Sequence, residues 1–425
     1  MIDLNARLHI EKLGARGEGV ARDKSGLLFV PYALPGELVL AEVDDDRTKL
    51  IEVLEPSPDR IAAICPYFTQ CGGCAVQTLA PPAYKAWKAG LVADSLRNAG
   101  VETTFASLVE AWGSGRRRAT FHSRCDQRGQ PHVGFMQARA HQIVEIAACP
   151  ILAPELANAL SAARAVALAL APLNKPLDIV VTASAAGLDI DLRGCGKLEF
   201  DMEQSLLEAA KAFDLARVAN HGAIVVEARA PSITMGLASV TPPPGAFLQS
   251  TQAGEEALAQ LVLAAAGDSR RVADLFSGVG TFALRLAAKA EVWCVENDID
   301  SLAAGLRASR GIIGLHALKG EARDLFTRPL LAGELNKFDC VVFDPPRAGA
   351  ERQARELAQS VVPLVIGVSC NAQSFARDAK ILIEGGYRLE QVTPVDQFLY
   401  APHVELVGVF KKTPAKSGKK RRLLG

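Results

Sequence analysis

Cys370 is a residue that could do covalent chemistry. It lies in VSCNAQSFARD, residues 368–378, where an apolar run changes to polar sequence. A thiolate is strongly nucleophilic even when only partly ionised. Most such cysteines are simply buried small side chains, and this alternative stays open for Cys370. Covalent chemistry also needs a base, and DQFLYAPHVELVGVF at 396–410 offers His403 and Glu405.

A second group of thiols has the spacing of a metal or cluster site. CPYFTQCGGC contains Cys65, Cys71 and Cys74, and Cys149 follows in AACPIL. Four thiolates can hold either zinc or an iron–sulfur cluster. Zinc loops more often bring two CxxC pairs, whereas here three thiols are clustered and one is distant. This spacing, together with the family resemblance given below, favours a 4Fe–4S cluster, with zinc as the alternative.

A glycine loop at 272–287, VADLFSGVGTFALRLA, predicts a strand, a tight turn and a helix. Gly278 and Gly280 would let the backbone approach a ligand closely. The next strand ends in Glu296, whose carboxylate can accept hydrogen bonds from ribose hydroxyls. Ala283 replaces the third glycine of a dinucleotide fingerprint, which favours S-adenosylmethionine over a pyrophosphate-bearing cofactor. For the glycines alone, a plain tight turn is the alternative.

The elements around these residues predict an α/β protein with a doubly wound, Rossmann-like sheet. From about residue 250, helices alternate with the apolar strands RRVADLF, AEVWCVE, FDCVVFD and PLVIGVSC. Ligands bind at the carboxyl ends of such strands, where Asp344 and Cys370 lie.

The predicted domains are a small antiparallel barrel at 1–58, a mixed α+β central domain at 59–245 with the cysteine loop, the doubly wound domain at 246–412 and a basic tail at 413–425. The central domain includes a helix at about 83–100, which we expect to pack on the doubly wound domain.

Basic and aromatic side chains are interleaved in WGSGRRRATFHSR, residues 112–124. Arg116, Arg117 and Arg118 lie close to Trp112 and Phe121, a mixture that suits phosphate contact and base stacking. A solvated charged strand is the alternative. The formal net charge is zero, so RNA binding would have to rely on such local clusters and on the basic tail. No long apolar run predicts a membrane segment, and we expect a cytoplasmic protein.

Taken together, several segments resemble the bacterial RNA uracil-5-methyltransferases. They are FLQS (247–250), DLFSGVGTF (274–282), DPPRAGA (344–350), SCNAQSFARD (369–378) and DQFLYAPHVE (396–405). GARGEGVA and FVPYALPGE, in addition, resemble the RNA-binding TRAM domain, an oligonucleotide-binding type of barrel.

The resemblance implies that Cys370 is the nucleophile and that Glu405 is the base that removes the C5 proton of uracil. It also implies a pocket for S-adenosylmethionine and the target base, lined by Gln249, Phe276, Gly278, Gly280, Thr281, Glu296 and Asp344. Two positions depart from the family pattern: Thr281 stands where asparagine is frequent, and Ala372 replaces a proline.

The iron–sulfur loop and the TRAM-like module imply 23S rRNA as the substrate, and we expect a monomer without a protein partner. A tRNA uridine-5 methyltransferase and a non-catalytic iron–sulfur RNA-binding protein remain alternatives. A cytosine C5-methyltransferase is disfavoured because Ser369, not proline, precedes Cys370. A radical S-adenosylmethionine enzyme is disfavoured because the loop has C-x5-C-x2-C spacing.

Overall fold

A computed structural model describes residues 5–413 except 25, 45, 46, 139 and 141, so most of the predicted basic tail lies outside the described residues. Its strands are β1 Asn5–His9, β2 Lys12–Leu13, β3 Gly19–Asp23, β4 Gly26–Val30, β5 Leu38–Asp44, β6 Arg47–Glu55, β7 Thr104–Phe105, β8 Val109–Glu110, β9 Arg118–Cys125, β10 Pro131–Met136, β11 Ile143–Val144, β12 Leu177–Ser184, β13 Gly187–Arg193, β14 Arg217–Asn220, β15 Ala223–Glu227, β16 Ile233–Met235, β17 Ala238–Val240, β18 Arg271–Leu275, β19 Glu291–Glu296, β20 Leu318–Ala322, β21 Cys340–Phe343, β22 Leu364–Ser369, β23 Tyr387–Asp396 and β24 Glu405–Lys412. Its α-helices are α1 Pro81–Asn98, α2 Ala159–Ala169, α3 Phe200–Ala212, α4 Gln252–Ala266, α5 Ala283–Leu286, α6 Ile299–Ala308, α7 Ala332–Leu335, α8 Glu351–Gln359 and α9 Ala372–Glu384.

The N-terminal module is antiparallel because short strands alternate with glycine turns. In its described residues, β1, β5 and β6 form one sheet, and β2, β3 and β4 form another. Val30 and Val39 belong to one core that both sheets share. The predicted small β module is therefore present, while its identity as a TRAM domain stays a prediction.

The central sheet has the order β11-β10-β9-β12-β13-β14-β15 and is antiparallel except at the β13–β14 pair. Helices α2 and α3 share a core with it, including Leu160, Leu206 and Phe121. Alanines on α2 let the helix approach the sheet closely, since Ala159, Ala162 and others are fully buried.

The C-terminal sheet has the order β20-β19-β18-β21-β22-β24-β23-β7, and β8 also pairs with β23. Strands β18 to β22 are parallel, and β24 runs antiparallel between β22 and β23. The chain passes from β18 through β19 to β20 on one side and then crosses to β21 on the other. The carboxyl ends of β18 and β21 lie at this switch point, where a ligand cavity is expected.

The structure divides the chain differently from the predicted continuous domain at 59–245. Strands β7 and β8 pair with β23 in the C-terminal sheet, and Val92 and Leu96 of α1 are buried in its core. The β16–β17 hairpin packs in a core with Val279 and Leu284 of the glycine-loop region. The segment with α1, β7 and β8 and the β16–β17 hairpin thus bury apolar side chains that the central sheet does not cover. None of the helices in the described ranges has the length and apolarity to span a membrane.

Candidate active site

A cavity of about 560 Å³ opens at the carboxyl edge of the C-terminal sheet. Its walls include the predicted site residues Gln249, Phe276, Gly278, Thr281, Glu296, Asp344, Cys370 and Glu405. Gly280 lies just behind the wall at φ +97°, and an added Cβ would lie 3.1 Å from the Leu284 side chain. Separate segments of the chain thus converge on one site.

Glu296 is held in place by backbone donors at the end of β19. Its Oε2 accepts a hydrogen bond from Gly278 N at 2.8 Å, and its Oε1 accepts from Asn297 N at 2.7 Å and Asp298 N at 2.9 Å. Gly278 has φ +54°, a left-handed conformation that favours glycine. A carboxylate has about four acceptor positions, so Glu296 keeps capacity for a ribose hydroxyl. These residues fit a nucleoside cofactor.

An aromatic pair forms the apolar side of this end of the cavity. Phe276 directly follows β18 with φ +60°, an uncommon conformation for a non-glycine residue. Its ring centroid lies 5.5 Å from that of Phe326. Sequence reasoning missed Phe326, because the segment after β20 carries no periodic pattern.

Cys370 is fixed between β22 and α9 rather than buried within a strand. Asn371 caps α9, since its Oδ1 accepts hydrogen bonds from Gln373 N and Ser374 N. Its Nδ2 also donates to Arg347 O at 3.1 Å, which joins the turn to the Asp-Pro-Pro-Arg loop. Cys370 is half-buried on the cavity wall, whereas Cys294 and Cys340, both inside strands, are buried.

Glu405 and Asp344 are linked through two side-chain amides. Gln397 Nε2 donates to Glu405 Oε1 at 3.1 Å and to Gln249 Oε1 at 2.6 Å. Gln249 Nε2 in turn donates to Asp344 Oδ2 at 3.3 Å. Gln397 was not identified from the sequence, although its place between a strand end and His403 was a signal.

Burial favours the neutral form of the ionisable groups in this cavity. Burial, and then the charge of Asp344, raise the pKa of Glu405 to about 8. Burial also raises the pKa of Asp344 to about 7. The pKa of Cys370 rises to about 11, through burial and then the charges of Glu405 and Asp344, and Arg347 opposes this rise. Near neutral pH the thiol is protonated and the two carboxyls lie close to their titration range.

His403, the other candidate base, lies beside Arg347. The two side chains approach at 3.4 Å between Arg347 Nη2 and His403 Nε2. Burial, and then the charge of Arg347, lower the pKa of His403 to about 4. The imidazole is therefore neutral at physiological pH.

Cys65, Cys71, Cys74 and Cys149 line a second cavity, of about 580 Å³. Burial, and then the charges of the other three thiols, raise the pKa of Cys74 to about 11. Four converging thiols are a donor set that suits zinc or a 4Fe–4S cluster. Within the described residues, however, no three Cys, His, Asp or Glu side chains form a preformed ion site. Phe247, Gln249 and Phe398 line both cavities, so the cysteines adjoin the active site.

The three neighbouring arginines all bind the segment 245–255 of the same chain. Arg116 contacts it through a side chain, and Arg118 contacts it through backbone carbonyls. Arg117 is buried and forms an ion pair with Glu255. The burial of Arg117 argues against the RNA contact predicted for it, whereas Arg116 and Arg118 reach the wall of the cysteine cavity. Their RNA contacts stay predictions.

Comparison with known proteins places the chain in a family. Residues 316–413 match the family model described as tRNA (uracil-5-)-methyltransferase. The chain is 32% identical to the 23S rRNA (uracil(1939)-C(5))-methyltransferase RlmD of Chromohalobacter salexigens, over 94% of this chain and 87% of that protein. The chain belongs to the RNA uracil-5-methyltransferase family. The resemblance drawn from its sequence segments, and the prediction of an enzyme, are thereby confirmed.

Other methyltransferases match over nearly the whole chain. An uncharacterized RNA methyltransferase of Brucella suis is 45% identical over 96% of this chain and 98% of its own length. The crystal structure of the Pyrococcus abyssi tRNA (uracil-54, C5)-methyltransferase, in complex with S-adenosyl-L-homocysteine, has a TM-score of 0.73 at 22% identity. That comparison covers 95% of this chain and 99% of the other, and it shows that the two share a fold.

Proposed function

We propose that this protein transfers a methyl group from S-adenosylmethionine to C5 of a uridine in 23S rRNA, with Cys370 as nucleophile and Glu405 as base. The observation that carries the proposal is one cavity that holds both residues together with the Glu296 end of the site. The relative named for a 23S rRNA uracil supports this substrate.

The cofactor would occupy the end formed by Glu296, Gly278, Phe276 and Phe326. Glu296 would accept hydrogen bonds from the ribose, and the two aromatic rings would contact the apolar parts of the nucleoside. When bound, S-adenosylmethionine supplies an electrophilic methyl group. Thr281, on the same wall, replaces the frequent asparagine, and its hydroxyl is a smaller hydrogen-bonding group.

Cys370 begins the chemistry because C5 of uracil is by itself a weak nucleophile. The Cys370 thiol first gives up its proton to solvent. The thiolate sulfur then bonds to C6, which moves the electrons of the C5=C6 double bond toward O4 and makes C5 nucleophilic. After C5 has been methylated, Glu405 removes the C5 proton. The double bond then forms again and the Cys370 thiolate leaves. The raised pKa of Glu405, about 8, suits a base that takes up a proton near neutral pH.

The target uridine would have to leave its stack to reach Cys370, which is half-buried. Such access requires a single-stranded, looped or flipped nucleotide. The N-terminal module at residues 5–55 would act as a TRAM domain and bind neighbouring RNA. We also propose that the enzyme is a cytoplasmic monomer.

We further propose that Cys65, Cys71, Cys74 and Cys149 hold a 4Fe–4S cluster, with zinc as the alternative. Such a group would join the loop that carries Cys65, Cys71 and Cys74 to the segment around Cys149, beside the active site. Analysis of the purified protein for iron, acid-labile sulfide and zinc distinguishes the two. A preparation that binds none of them in stoichiometric amount, under anaerobic purification, would contradict the proposal.

The main test uses rRNA and tRNA from a strain of the source organism that lacks the gene. Purified protein should incorporate labelled methyl groups from S-adenosylmethionine into 23S rRNA. With RNA that carries tritium at uracil C5, the amount of tritium released to water should equal the amount of methyl group incorporated. Incorporation into tRNA instead would identify the alternative substrate. No incorporation by wild-type protein into any RNA would overturn the proposed activity.

Variants then test the two roles. Cys370→Ala should abolish turnover while S-adenosylmethionine still binds, and Cys125→Ala, a half-buried cysteine outside the cavity, should behave as wild type. Glu405→Gln should accumulate a covalent protein–RNA adduct on a denaturing gel, because the C5 proton stays in place. Full activity of Cys370→Ala, or the absence of the adduct, would refute the respective role.

A further inference from the structure

Lys88, on helix α1, is completely buried although it lies far from the glycine loop and from Cys370 in the sequence. Its Nζ donates hydrogen bonds to Asp396 Oδ1 at 2.7 Å, to Phe398 O at 3.0 Å and to His403 O at 2.5 Å. These bonds use all three donors of the ammonium group. Every acceptor lies in residues 396–403, which we call the catalytic loop because it connects β23 to Glu405.

Tyr84 reinforces this anchor from one helical turn earlier on α1, where residues four apart lie on the same face. Its hydroxyl donates to Asp396 Oδ2 at 2.6 Å and accepts a hydrogen bond from Tyr400 N at 3.1 Å. Phe398 N also donates to Asp396 Oδ1 at 3.1 Å. Helix α1 therefore fixes the catalytic loop through both of its ends and its middle.

The catalytic loop carries groups that the active site uses. Gln397 donates to Glu405, and Phe398 and His403 line the cavity. Lys88 itself is not part of the cavity wall. A change at Lys88 would reach the reacting atoms only through the loop.

A buried ion pair is a poor way to add stability, since the desolvation of both charges offsets most of their attraction. Burial indeed lowers the pKa of Lys88, and the charge of Asp396 opposes this effect. Helix α1 already packs through apolar residues such as Val92 and Leu96. What an apolar side chain could not supply at residue 88 is three directed donors to the loop.

We propose that Lys88, assisted by Tyr84, is a positioning residue for methyl transfer, because it sets the conformation of the catalytic loop that orients Gln397 and Glu405. This inference rests on the proposed function. It assigns to a helix outside the doubly wound part of the chain a role in the geometry of the reaction.

The test compares Lys88→Met, the double variant Lys88→Met/Asp396→Asn and Lys85→Met in the full-length protein. Lys88→Met alone leaves Asp396 buried without its cation and is expected to be less stable. The double variant removes both charges, so it should regain stability but still lack the donors to Phe398 O and His403 O. Lys85 lies on the same helix, where it pairs with Glu110 at the surface at 2.5 Å, and serves as the control.

The double variant should keep its melting temperature within about 3 °C of wild type, and its Kd for S-adenosylmethionine within about twofold. Its kcat at saturating rRNA from the gene-deleted strain should fall by about 30-fold or more, since small misplacements of reacting groups have effects of this size. Lys85→Met should match wild type. A kcat near the wild-type value in the double variant would overturn the proposal.

Amide hydrogen exchange separates this inference from the proposed activity. Loss of the anchor should speed exchange in residues 398–403 of the double variant relative to wild type and to Lys85→Met. If wild-type protein transfers no methyl group, the proposed function fails, but the positioning of the catalytic loop by Lys88 can still be tested by exchange. Unchanged exchange in the catalytic loop of the double variant would overturn that positioning as well. Faster exchange confined to that loop would support it.

Discussion

Replacement of Glu405 by glutamine should make the folded protein more stable above neutral pH, even though it removes the proposed base. Burial and the charge of Asp344 raise the pKa of Glu405 from 4.5 to about 8. Between these two values the folded protein keeps a proton that the unfolded chain has lost, so the free energy of unfolding falls as the pH rises. Glutamine has nearly the same shape and still accepts the hydrogen bond from Gln397, but it carries no charge to bury.

The size of this effect follows from the span of the two pKa values. Each pH unit between them removes about 1.4 kcal/mol of stability from the wild type, which adds up to about 5 kcal/mol when Glu405 is fully ionised. At about pH 9 the melting temperature of the doubly wound domain should therefore be about 10 °C higher in Glu405→Gln than in the wild type. At about pH 5, where Glu405 is still protonated in the folded protein, the gain should be no more than about 2 °C.

Differential scanning calorimetry of the wild type and Glu405→Gln at the two pH values provides the measurement. The unfolding transition of the doubly wound domain is followed separately from the others. Glu351→Gln is the matched control, because Glu351 is half-exposed and its hydrogen bond with Arg355 lowers its pKa. That variant should show a small loss of stability rather than a gain. An equal gain at both pH values for Glu405→Gln, or a loss at the higher one, would refute the argument that burial holds the Glu405 proton.

Three further predictions concern other parts of the site. Because the charge of Glu405 raises the pKa of Cys370, Glu405→Gln should increase the rate at which iodoacetamide alkylates Cys370 at about pH 9, and an unchanged rate would contradict the coupling. Gly278→Ala places a side chain at φ +54°, so it should cost about 1 kcal/mol and weaken S-adenosylmethionine binding in calorimetric titrations. Glu255→Ala leaves the buried guanidinium of Arg117 without its carboxylate, and Arg285 keeps only Glu256, so the unfolding free energy should fall by about 3 kcal/mol. Removal of the half-exposed carboxylate in Glu256→Ala should change it by less than about 0.5 kcal/mol.

The residues that sequence reasoning placed correctly share a simple physical origin. Buried parallel strands are continuous apolar runs, so β18, β19, β21 and β22 are visible as such, and the polar residues at their carboxyl ends must meet. The sequence therefore predicts that Glu296, Asp344 and Cys370 lie at one edge of the sheet, and all three line the same cavity. The glycine loop was equally visible, because its left-handed turn needs glycine.

The residues that were missed depend on contacts between distant segments. Strands β7 and β8 have only two residues each, which is too short for an alternating pattern, and they pair with β23 far along the chain, with Thr104 opposite Gln391. Arg117 belongs to a charged run that is typical of a solvated surface, yet tertiary packing buries it against Glu255. Gln397 becomes part of the site only because Gln249 and Glu405 converge on it.

The packing of α1 against β23 and the catalytic loop also affects how the chain folds during translation. Tyr84 and Asp396 are 312 residues apart, and translation at about 10 residues per second would separate their emergence by about half a minute. Throughout that interval the apolar face of α1, with Val92 and Leu96, has no final partner and must be kept from aggregating. Emergence of residues 396–405, rather than completion of the glycine-loop region, is then the event that permits the reaction centre to assemble.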